Sequence, residues 1–342
     1  MDKRAEICNH IKSEQEHTYT STGVKFWRHK DALDSYRFGT GKTIISTHIS
    51  PEGSCNLNCS YCSVSKRKKF YRIDLETIKD YVSRLKSRGL KAVIITGGGE
   101  PTLYPFFNEL VTWLKNEEKL SVALITNGTN THLVDKSVWR MFSWVRVSLN
   151  FIDDYEEKIK FPDIDGVLGA SMVYIGQTLQ EMKDLSAFVD KRKVKYIRVL
   201  PNCLLEQDSL INEHIKIQNM LDKLGDERFF QQYKLHGSPC SSICHQAYFR
   251  PYLSEVDGGT VFPCDSLVLN QEQMHFSHQY AICKPNEVLD FLDGKIGMKF
   301  DAKKLCSGCV FAENIRLLDE WYRTGSGKFG EFDRPLLHEE FV

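Results

Sequence analysis

The segment Cys55-Asn-Leu-Asn-Cys59-Ser-Tyr61-Cys62 determines how the rest of this sequence is interpreted. It places three cysteines in the spacing C-x3-C-x2-C, directly after a run over 43–50 that is typical of a strand. Thiolates this close together on one loop can converge on a single soft metal centre. The number three is informative, because a structural zinc site and a simple electron-transfer cluster each require four protein ligands. Three cysteines on a cubane cluster leave one iron open to another ligand. The alternative is a zinc knuckle that takes a distant fourth ligand.

Composition and charge are those of an ordinary globular protein, and 342 residues are enough to bury a sizeable core. Lys plus Arg and Asp plus Glu each number 45, so the formal net charge is zero. This balance gives no strong nucleic-acid signal, because such proteins usually show a basic surplus. No apolar run approaches a membrane span, and the charged residues 1–6 lack the apolar core of a signal peptide. We therefore expect a cytoplasmic protein whose eleven cysteines are thiols or metal ligands rather than disulfides.

Between residue 44 and about 224, apolar β-rich runs alternate with amphipathic helical ones, the pattern of βα units on a parallel sheet. Strands are predicted at 44–49, 92–96, 122–126, 145–149, 168–174 and 196–200. Helices are predicted near 74–88, 105–117, 133–141, 179–192 and 206–224. The loops that carry chemistry in such folds gather at the carboxyl ends of the strands, where the cysteine loop also lies.

A glycine-rich run, Thr96-Gly97-Gly98-Gly99-Glu100-Pro101, follows the second predicted strand. Glycines at a strand end allow the backbone to approach a ligand closely. A carboxylate beside them can pair with an ammonium group. The alternative is an ordinary turn that caps the next helix, so the run is informative mainly because it follows the cysteine loop by one βα unit.

The cysteine spacing, the aromatic Tyr61 and the GGGEP run together resemble the radical S-adenosylmethionine (SAM) enzymes. The resemblance covers about 43–311 and implies an α/β fold, a partial (βα)6 TIM-like barrel with a small cysteine-rich C-terminal appendage. It implies a [4Fe-4S] cluster on Cys55, Cys59 and Cys62, whose open iron binds the amino and carboxylate groups of SAM. One electron would then cleave SAM to a 5′-deoxyadenosyl radical that abstracts hydrogen from the substrate.

The resemblance also implies SAM-binding residues along the strand ends. The backbone of Gly97, Gly98 and Gly99 and the Glu100 carboxylate would receive the aminopropyl end of SAM. The remaining contacts would come from Tyr61 near the adenine, from Thr126, Asn127, Ser148 and Asn150 near the ribose and methionine, and from Arg198 at the carboxylate. Many relatives have aspartate in the position of Asn150. Without the resemblance, these residues are equally explained by strand-end turns, a structural ion pair for Arg198 and simple packing for Tyr61.

A second group of cysteines lies at Cys240, Cys244, Cys264, Cys306 and Cys309, and its last two form a C-x2-C pair. Such a pair is a standard clip for iron–sulfur clusters or zinc. The pattern resembles the auxiliary-cluster region called SPASM, in its shortened twitch form. It implies a second [4Fe-4S] cluster on Cys244, Cys264, Cys306 and Cys309. A structural zinc ion on the same four residues is the alternative, because the two metals share ligand types. Cys240 is either a spare thiol or an exchange partner of Cys244.

The predicted divisions are an N-terminal arm or helix over 1–43, the barrel over 44–229, the cysteine-rich region over 230–310 and a C-terminal helix and tail over 311–342. We expect a radical SAM enzyme, either a lyase or an oxidoreductase, with a small polar substrate. The first choice is a nucleoside or modified nucleobase, including a queuine-type lyase substrate, followed by an aminocyclitol or sugar. The alternatives are a dehydrogenase or peptide-modifying enzyme that uses the auxiliary cluster, and a zinc-stabilised binding protein without turnover. The enzyme would need an electron donor such as flavodoxin or ferredoxin.

Overall fold

The computed structural model describes residues 3–149, 155–270, 277–326 and 335–342. Its centre is a nine-stranded sheet in the order β7-β6-β5-β4-β3-β2-β1-β8-β9. The strands are β1 Ser46–Ile49, β2 Ala92–Ile95, β3 Ser121–Thr126, β4 Trp144–Ser148, β5 Val167–Val173, β6 Tyr196–Leu200, β7 Phe229–Gln231, β8 Tyr252–Ser254 and β9 Thr260–Phe262. Strands β1 to β7 pair in parallel with their chain neighbours, as successive βα units require. All six predicted strands are confirmed.

Strands β7, β8 and β9, each three residues long, were not predicted from the sequence. β8 joins the free side of β1 in parallel, and β9 pairs with β8 in the antiparallel direction. The region after residue 230 was expected as an appendage, but this part of it extends the central sheet. The sequence did not reveal these strands because each is three residues long, too short to show a period of two.

Helices cover the outer face of the sheet. In the described residues the α-helices are α1 Lys3–Cys8, α2 Glu14–Tyr19, α3 Gly23–Trp27, α4 Lys30–Phe38, α5 Leu75–Ser87, α6 Phe107–Asn116, α7 Lys136–Trp139, α8 Tyr155–Lys158, α9 Leu179–Asp190, α10 Gln207–Leu224, α11 Val288–Leu292, α12 Ala302–Leu305 and α13 Ala312–Thr324. Helix α5 shows why these segments fold as they do, since Ile78, Val82 and Leu85 recur at helical spacing and are fully buried. No helix among the described ranges is long and apolar enough to cross a membrane.

The alternation of strand side chains divides the sheet into two chemically different faces. One face carries residues such as Val93, Val122 and Val145, which pack in the main apolar core with the helices. The opposite, inner face carries His48, Arg146 and Arg198 as well as apolar residues. This inner face lines a cavity of about 330 Å³. Residues from β1 to β6 and from β8 line the same cavity, so the sheet curves around it.

The N-terminal segment was predicted as an arm or helix. In the structure it forms helices α1 to α4, and residues 18–21 and Lys25 also line the cavity. Lys25 is 2% exposed, and its Nζ donates to the main-chain oxygens of Thr18 at 3.1 Å and His338 at 3.2 Å. The segment looks polar because part of it faces a polar interior. The residues at 335–342 enter the same space, with Phe341 3% exposed.

The packing of residues 335–342 against the inner face of the sheet can be tested at Phe341. Its ring packs edge-to-face against Trp144, with 5.5 Å between the ring centroids. We expect Phe341→Ala to lower the free energy of unfolding by about 3 kcal/mol, through lost burial and the cavity left behind. Leu337→Ala is the matched control, since Leu337 is 44% exposed, and should change it by less than about 0.5 kcal/mol. Urea unfolding under anaerobic conditions measures both, and equal effects would contradict the packing described.

Candidate cluster and substrate site

The cysteine loop after β1 is held from two sides by buried polar contacts. The carboxylate of Glu52, 1% exposed, accepts from the Ser54 amide at 2.9 Å and from Arg72 Nε at 2.6 Å. The Arg67 guanidinium donates to the main-chain oxygens of Gly53 and Val64, both at 2.9 Å. These contacts give the loop its shape through protein groups alone.

Donors surround the sulfur atoms of the three clustered cysteines. The Leu57 amide lies 3.5 Å from Cys55 Sγ, and Arg67 Nη1 lies 3.5 Å from Cys62 Sγ. Burial raises the pKa of Cys59, the nearby Cys62 raises it further, and a hydrogen bond from Tyr61 lowers it. Burial also raises the pKa of Cys55, against which the Leu57 amide and Arg67 act. N–H and guanidinium donors aimed at sulfur stabilise thiolates, which are the metal-binding form of cysteine.

No group of three His, Cys, Asp or Glu side chains among the described residues is arranged to hold one metal ion. Sulfurs bound to one tetrahedral zinc lie about 3.8 Å apart, given Zn–S bonds of about 2.3 Å. Cysteines on a four-iron cluster bind different irons, so their sulfurs lie farther apart. This finding therefore concerns single ions, and the donor chemistry around the three cysteines fits a cluster.

The glycine-rich run after β2 packs directly on the cysteine loop. The Gly99 amide donates to the Glu52 carbonyl at 2.9 Å, and the Glu100 amide donates to the Ser54 carbonyl at 2.7 Å. A methyl group on Gly99 would overlap the Ser54 carbonyl, and one on Gly98 would overlap the Glu255 carboxylate. The run must therefore be glycine for the two loops to approach each other. Of the three glycines, Gly97 lines the large cavity.

Glu100 has a structural role that the sequence did not predict. It is 2% exposed, and its carboxylate accepts from the Thr102 amide at 3.1 Å, Thr102 Oγ1 at 2.8 Å, Thr126 Oγ1 at 2.6 Å and the Asn127 amide at 2.8 Å. Burial raises the pKa of Glu100, while these donors act in the opposite direction. The carboxylate thus joins the loop after β2 to the end of β3, with three of these donors on Oε1 and one on Oε2. That it accepts the ammonium group of SAM stays a prediction.

The other predicted SAM contacts fall into three groups. Asn127 connects two loops, since its Nδ2 donates to Asn56 Oδ1 at 2.9 Å and its Oδ1 accepts from the Thr129 amide at 3.0 Å. Ser148 on β4 and Arg198 on β6 lie at the same level of the sheet, on either side of Ser171 on β5. Asn150 lies outside the described residues.

The four cysteines of the second group come together although they are far apart in sequence. Cys244, Cys264, Cys306 and Cys309 all line one small cavity of about 20 Å³. Burial raises the pKa of Cys306 to about 12 and that of Cys309 to about 11, with Cys309 adding to the shift of Cys306. Cys240 is exposed and does not line this cavity. The predicted set of four is thus brought together, and the fifth cysteine is left outside.

Several residues of the large cavity were not identified from the sequence. They are Lys25, His48, Arg146, Lys234, Arg250 and Asp265. The available signal was a polar residue at alternate positions of otherwise apolar strands, as for His48 in β1 and Arg146 in β4. His48 Nδ1 lies 3.3 Å from Asp265 Oδ2. Burial would raise the pKa of Asp265, but His48, Arg250 and Lys234 together hold it well below its usual value.

Comparison with known proteins bears on this geometry. Residues 49–171, which contain the cysteine loop and the glycine-rich run, match the family model of the radical SAM superfamily. This part of the chain, about a third of its length, is therefore similar to the radical SAM superfamily. The family implies a [4Fe-4S] cluster and SAM, and it supports an enzyme.

Individual relatives also match only part of this chain. The "UPF0026 protein" of Helicobacter pylori is 29% identical over 167 residues, which are 43% of this chain and 53% of the relative. The 7-carboxy-7-deazaguanine synthase of Clostridium acetobutylicum is 40% identical over 76 residues, 22% of this chain and 34% of the relative. The chain thus spans about half and about a third of these relatives. The crystal structure of Streptococcus suis SuiB bound to precursor peptide SuiA has a TM-score of 0.50 at 16% identity, over 87% of this chain and 69% of that one. This likeness supports the α/β fold with a mostly parallel sheet.

The packing of the two loops makes a specific prediction. We expect Gly99→Ala to push the cysteine loop away from β2, and therefore to lower the iron that the reconstituted protein retains by at least about half. Gly297→Ala is the matched control, since the added methyl group meets no atom within 4 Å and should leave the iron content unchanged. Iron and sulfide analysis after anaerobic reconstitution measures the difference. Full iron content in Gly99→Ala would show that the loops need not touch.

Proposed function

We propose that this chain is a radical SAM enzyme that acts on a small polar substrate bound in the cavity on the inner face of the sheet. The observation that carries the proposal is the position of the cavity. It is lined both by Ser63 and Val64, next to Cys62, and by Thr96 and Gly97 at the glycine-rich run. Its 330 Å³ lies in the range of sites for small ligands. The curved sheet corresponds, in this proposal, to the partial (βα)6 barrel.

Different residues around the cysteine loop after β1 would bind the cluster, stabilise its thiolates and bind SAM. Cys55, Cys59 and Cys62 would hold the cluster through their thiolates, with Arg67 and the Leu57 amide stabilising those thiolates. When bound, the cluster supplies the electron for the reductive cleavage of SAM. The glycine-rich backbone and the Glu100 carboxylate would receive the aminopropyl end of SAM. Electrons would come from a donor such as flavodoxin or ferredoxin.

We further propose that Cys244, Cys264, Cys306 and Cys309 hold an auxiliary four-iron cluster. Ser266, Val310 and Phe311 line both the small cavity between these cysteines and the large cavity. One layer of residues therefore separates the proposed second cluster from the proposed substrate. This proximity favours an oxidoreductase, in which the second cluster accepts an electron from the substrate, over a purely structural zinc site.

The name of one relative supports the substrate class. The relative from Clostridium acetobutylicum is a synthase of a carboxylated deazaguanine base. We infer that a nucleoside or modified nucleobase, which includes bases of the queuine type, is the first substrate class to test. Aminocyclitols and sugars come next.

Metal counting tests both sites. We expect about eight iron atoms per chain in the reconstituted wild type and about four in the Cys55/Cys59/Cys62→Ala variant. Wild type with dithionite and SAM should form 5′-deoxyadenosine, and the variant should form none. About four iron atoms plus one zinc in the wild type would overturn the auxiliary cluster only. Zinc without iron in both proteins would exclude radical chemistry and indicate a zinc-stabilised binding protein.

Single cysteine variants test which residues form the second site. We expect Cys306→Ala to lower the metal bound at that site, because Cys306 lines the small cavity and is 6% exposed. Cys240→Ala is the matched control and should retain the wild-type metal content. Loss of metal in Cys240→Ala would instead assign Cys240 as a ligand that exchanges with Cys244.

A further inference from the structure

The large cavity carries an excess of positive charge. Of the described residues that line it, Asp265 is anionic, and the cationic ones are Lys25, Arg146, Arg198, Lys234 and Arg250. Burying charges of one sign is costly unless partners of the opposite sign accompany them. The question is therefore which of these cations have partners within the chain.

Three of the five cations have hydrogen-bond or carboxylate partners within the chain. Lys25 donates to main-chain oxygens, as described above. Arg146 donates to Tyr196 Oη at 3.1 Å and to the Tyr19 carbonyl at 2.6 Å. Arg250 donates to Ser21 Oγ at 3.0 Å and lies 3.5 Å from Asp265 Oδ1.

Arg198 and Lys234 are not satisfied in this way. Arg198 Nη1 donates to Gln232 Oε1 at 2.9 Å, but its buried Nε has no hydrogen-bond partner. Lys234 Nζ has no hydrogen-bond or carboxylate partner among the described residues, and lies 4.8 Å from the centre of the Phe311 ring. Burial lowers the pKa of Lys234 to about 8 and that of Arg198 to about 9. The chain thus holds two partly buried cations whose donors remain available.

One SAM molecule brings one carboxylate, and Arg198, level with Ser148, is the residue placed to meet it. That assignment leaves Lys234 without an anion in direct contact, since Asp265 acts on its charge only from a longer distance. Lys234 lies on the side of the cavity formed by Phe311, which also borders the small cysteine-lined cavity. A second anionic group beside Lys234 would balance the remaining positive charge of the cavity.

We propose that the substrate is an anion, and that Lys234 binds its carboxylate or phosphate group against the Phe311 wall of the cavity. This inference rests on the proposed function, since it assigns the substrate of that same site. A charged hydrogen bond in such a dry place contributes both affinity and orientation. The substrate class narrows accordingly to nucleotides, or to nucleosides, bases and sugars that carry an acidic group.

The test is anion binding to the full, reconstituted chain, measured by calorimetry with inorganic phosphate and with acetate in the presence of saturating SAM. We expect saturable binding of at least one anion, weakened about tenfold or more in Lys234→Gln and restored in part in Lys234→Arg. Lys195→Gln is the matched control, because Lys195 is exposed and lies outside the cavity. This variant should bind the anion as tightly as wild type does. Tighter phosphate binding would indicate a phosphorylated substrate, and tighter acetate binding a carboxylate.

Stability supplies a second readout that does not depend on activity. Since an unmatched buried cation destabilises the free protein, Lys234→Gln should unfold at a temperature about 2 °C or more above wild type without anion. Wild type alone should then gain stability when phosphate or acetate is added.

Either of two results would overturn the inference. One is equal anion affinity in wild type and Lys234→Gln. The other is loss of anion binding when SAM is saturating, which would assign the anion site to the SAM carboxylate. Formation of 5′-deoxyadenosine, measured in the same preparations without substrate, reports on the proposed function separately. Anion binding without SAM cleavage would support the Lys234 site and contradict the proposed radical chemistry. SAM cleavage without anion binding would support the radical chemistry and contradict the Lys234 site.

Discussion

The candidate site depends on the close approach of two loops that have no side chains between them. The loop after β1 carries the clustered cysteines, and the loop after β2 is glycine at the three positions 97–99. Their backbones are joined by hydrogen bonds, and the buried carboxylates of Glu52, Glu100 and Glu255 hold the surrounding segments. Parallel pairing of β1 and β2 places both loops at one edge of the sheet. A side chain at Gly99 would force them apart, so the position of the cysteines relative to the cavity is set by backbone contact.

The same sheet separates two kinds of chemistry by the direction of alternate side chains. Apolar residues on the outer face, such as Val93 and Val145, stabilise the fold against the helices. Charged residues on the inner face, such as Arg146 and Arg198, lie among apolar neighbours, where each unmet charge lowers stability. The chain therefore retains a polar interior at an energetic cost, and that is expected where stability is sacrificed for binding.

The six central strands and five major helices were predictable because each is long enough to show its period, as β5 and α5 do. The short β8 and β9 were not, because three residues do not define a pattern. The roles of Lys25 and Lys234 could not be predicted, since a single lysine in a polar segment normally lies in solvent. Glu100 shows the opposite difficulty. Its place in the motif was predictable, but the hydrogen bonds that it accepts from Thr102, Thr126 and Asn127 depend on how β2 and β3 end in space.

The segment at 335–342 has a consequence for how the molecule folds. Its contacts join residues at nearly opposite positions of the sequence, with separations of 313 residues from Lys25 to His338 and 296 from Ser46 to Val342. Contacts between residues so far apart in sequence form late in folding, because closing a large loop costs chain entropy. The βα units can assemble from local contacts, whereas the inner face remains open to water until this segment arrives. The polar lining of the cavity is compatible with late docking of residues 335–342. A cationic surface stays hydrated and resists aggregation before this segment covers it.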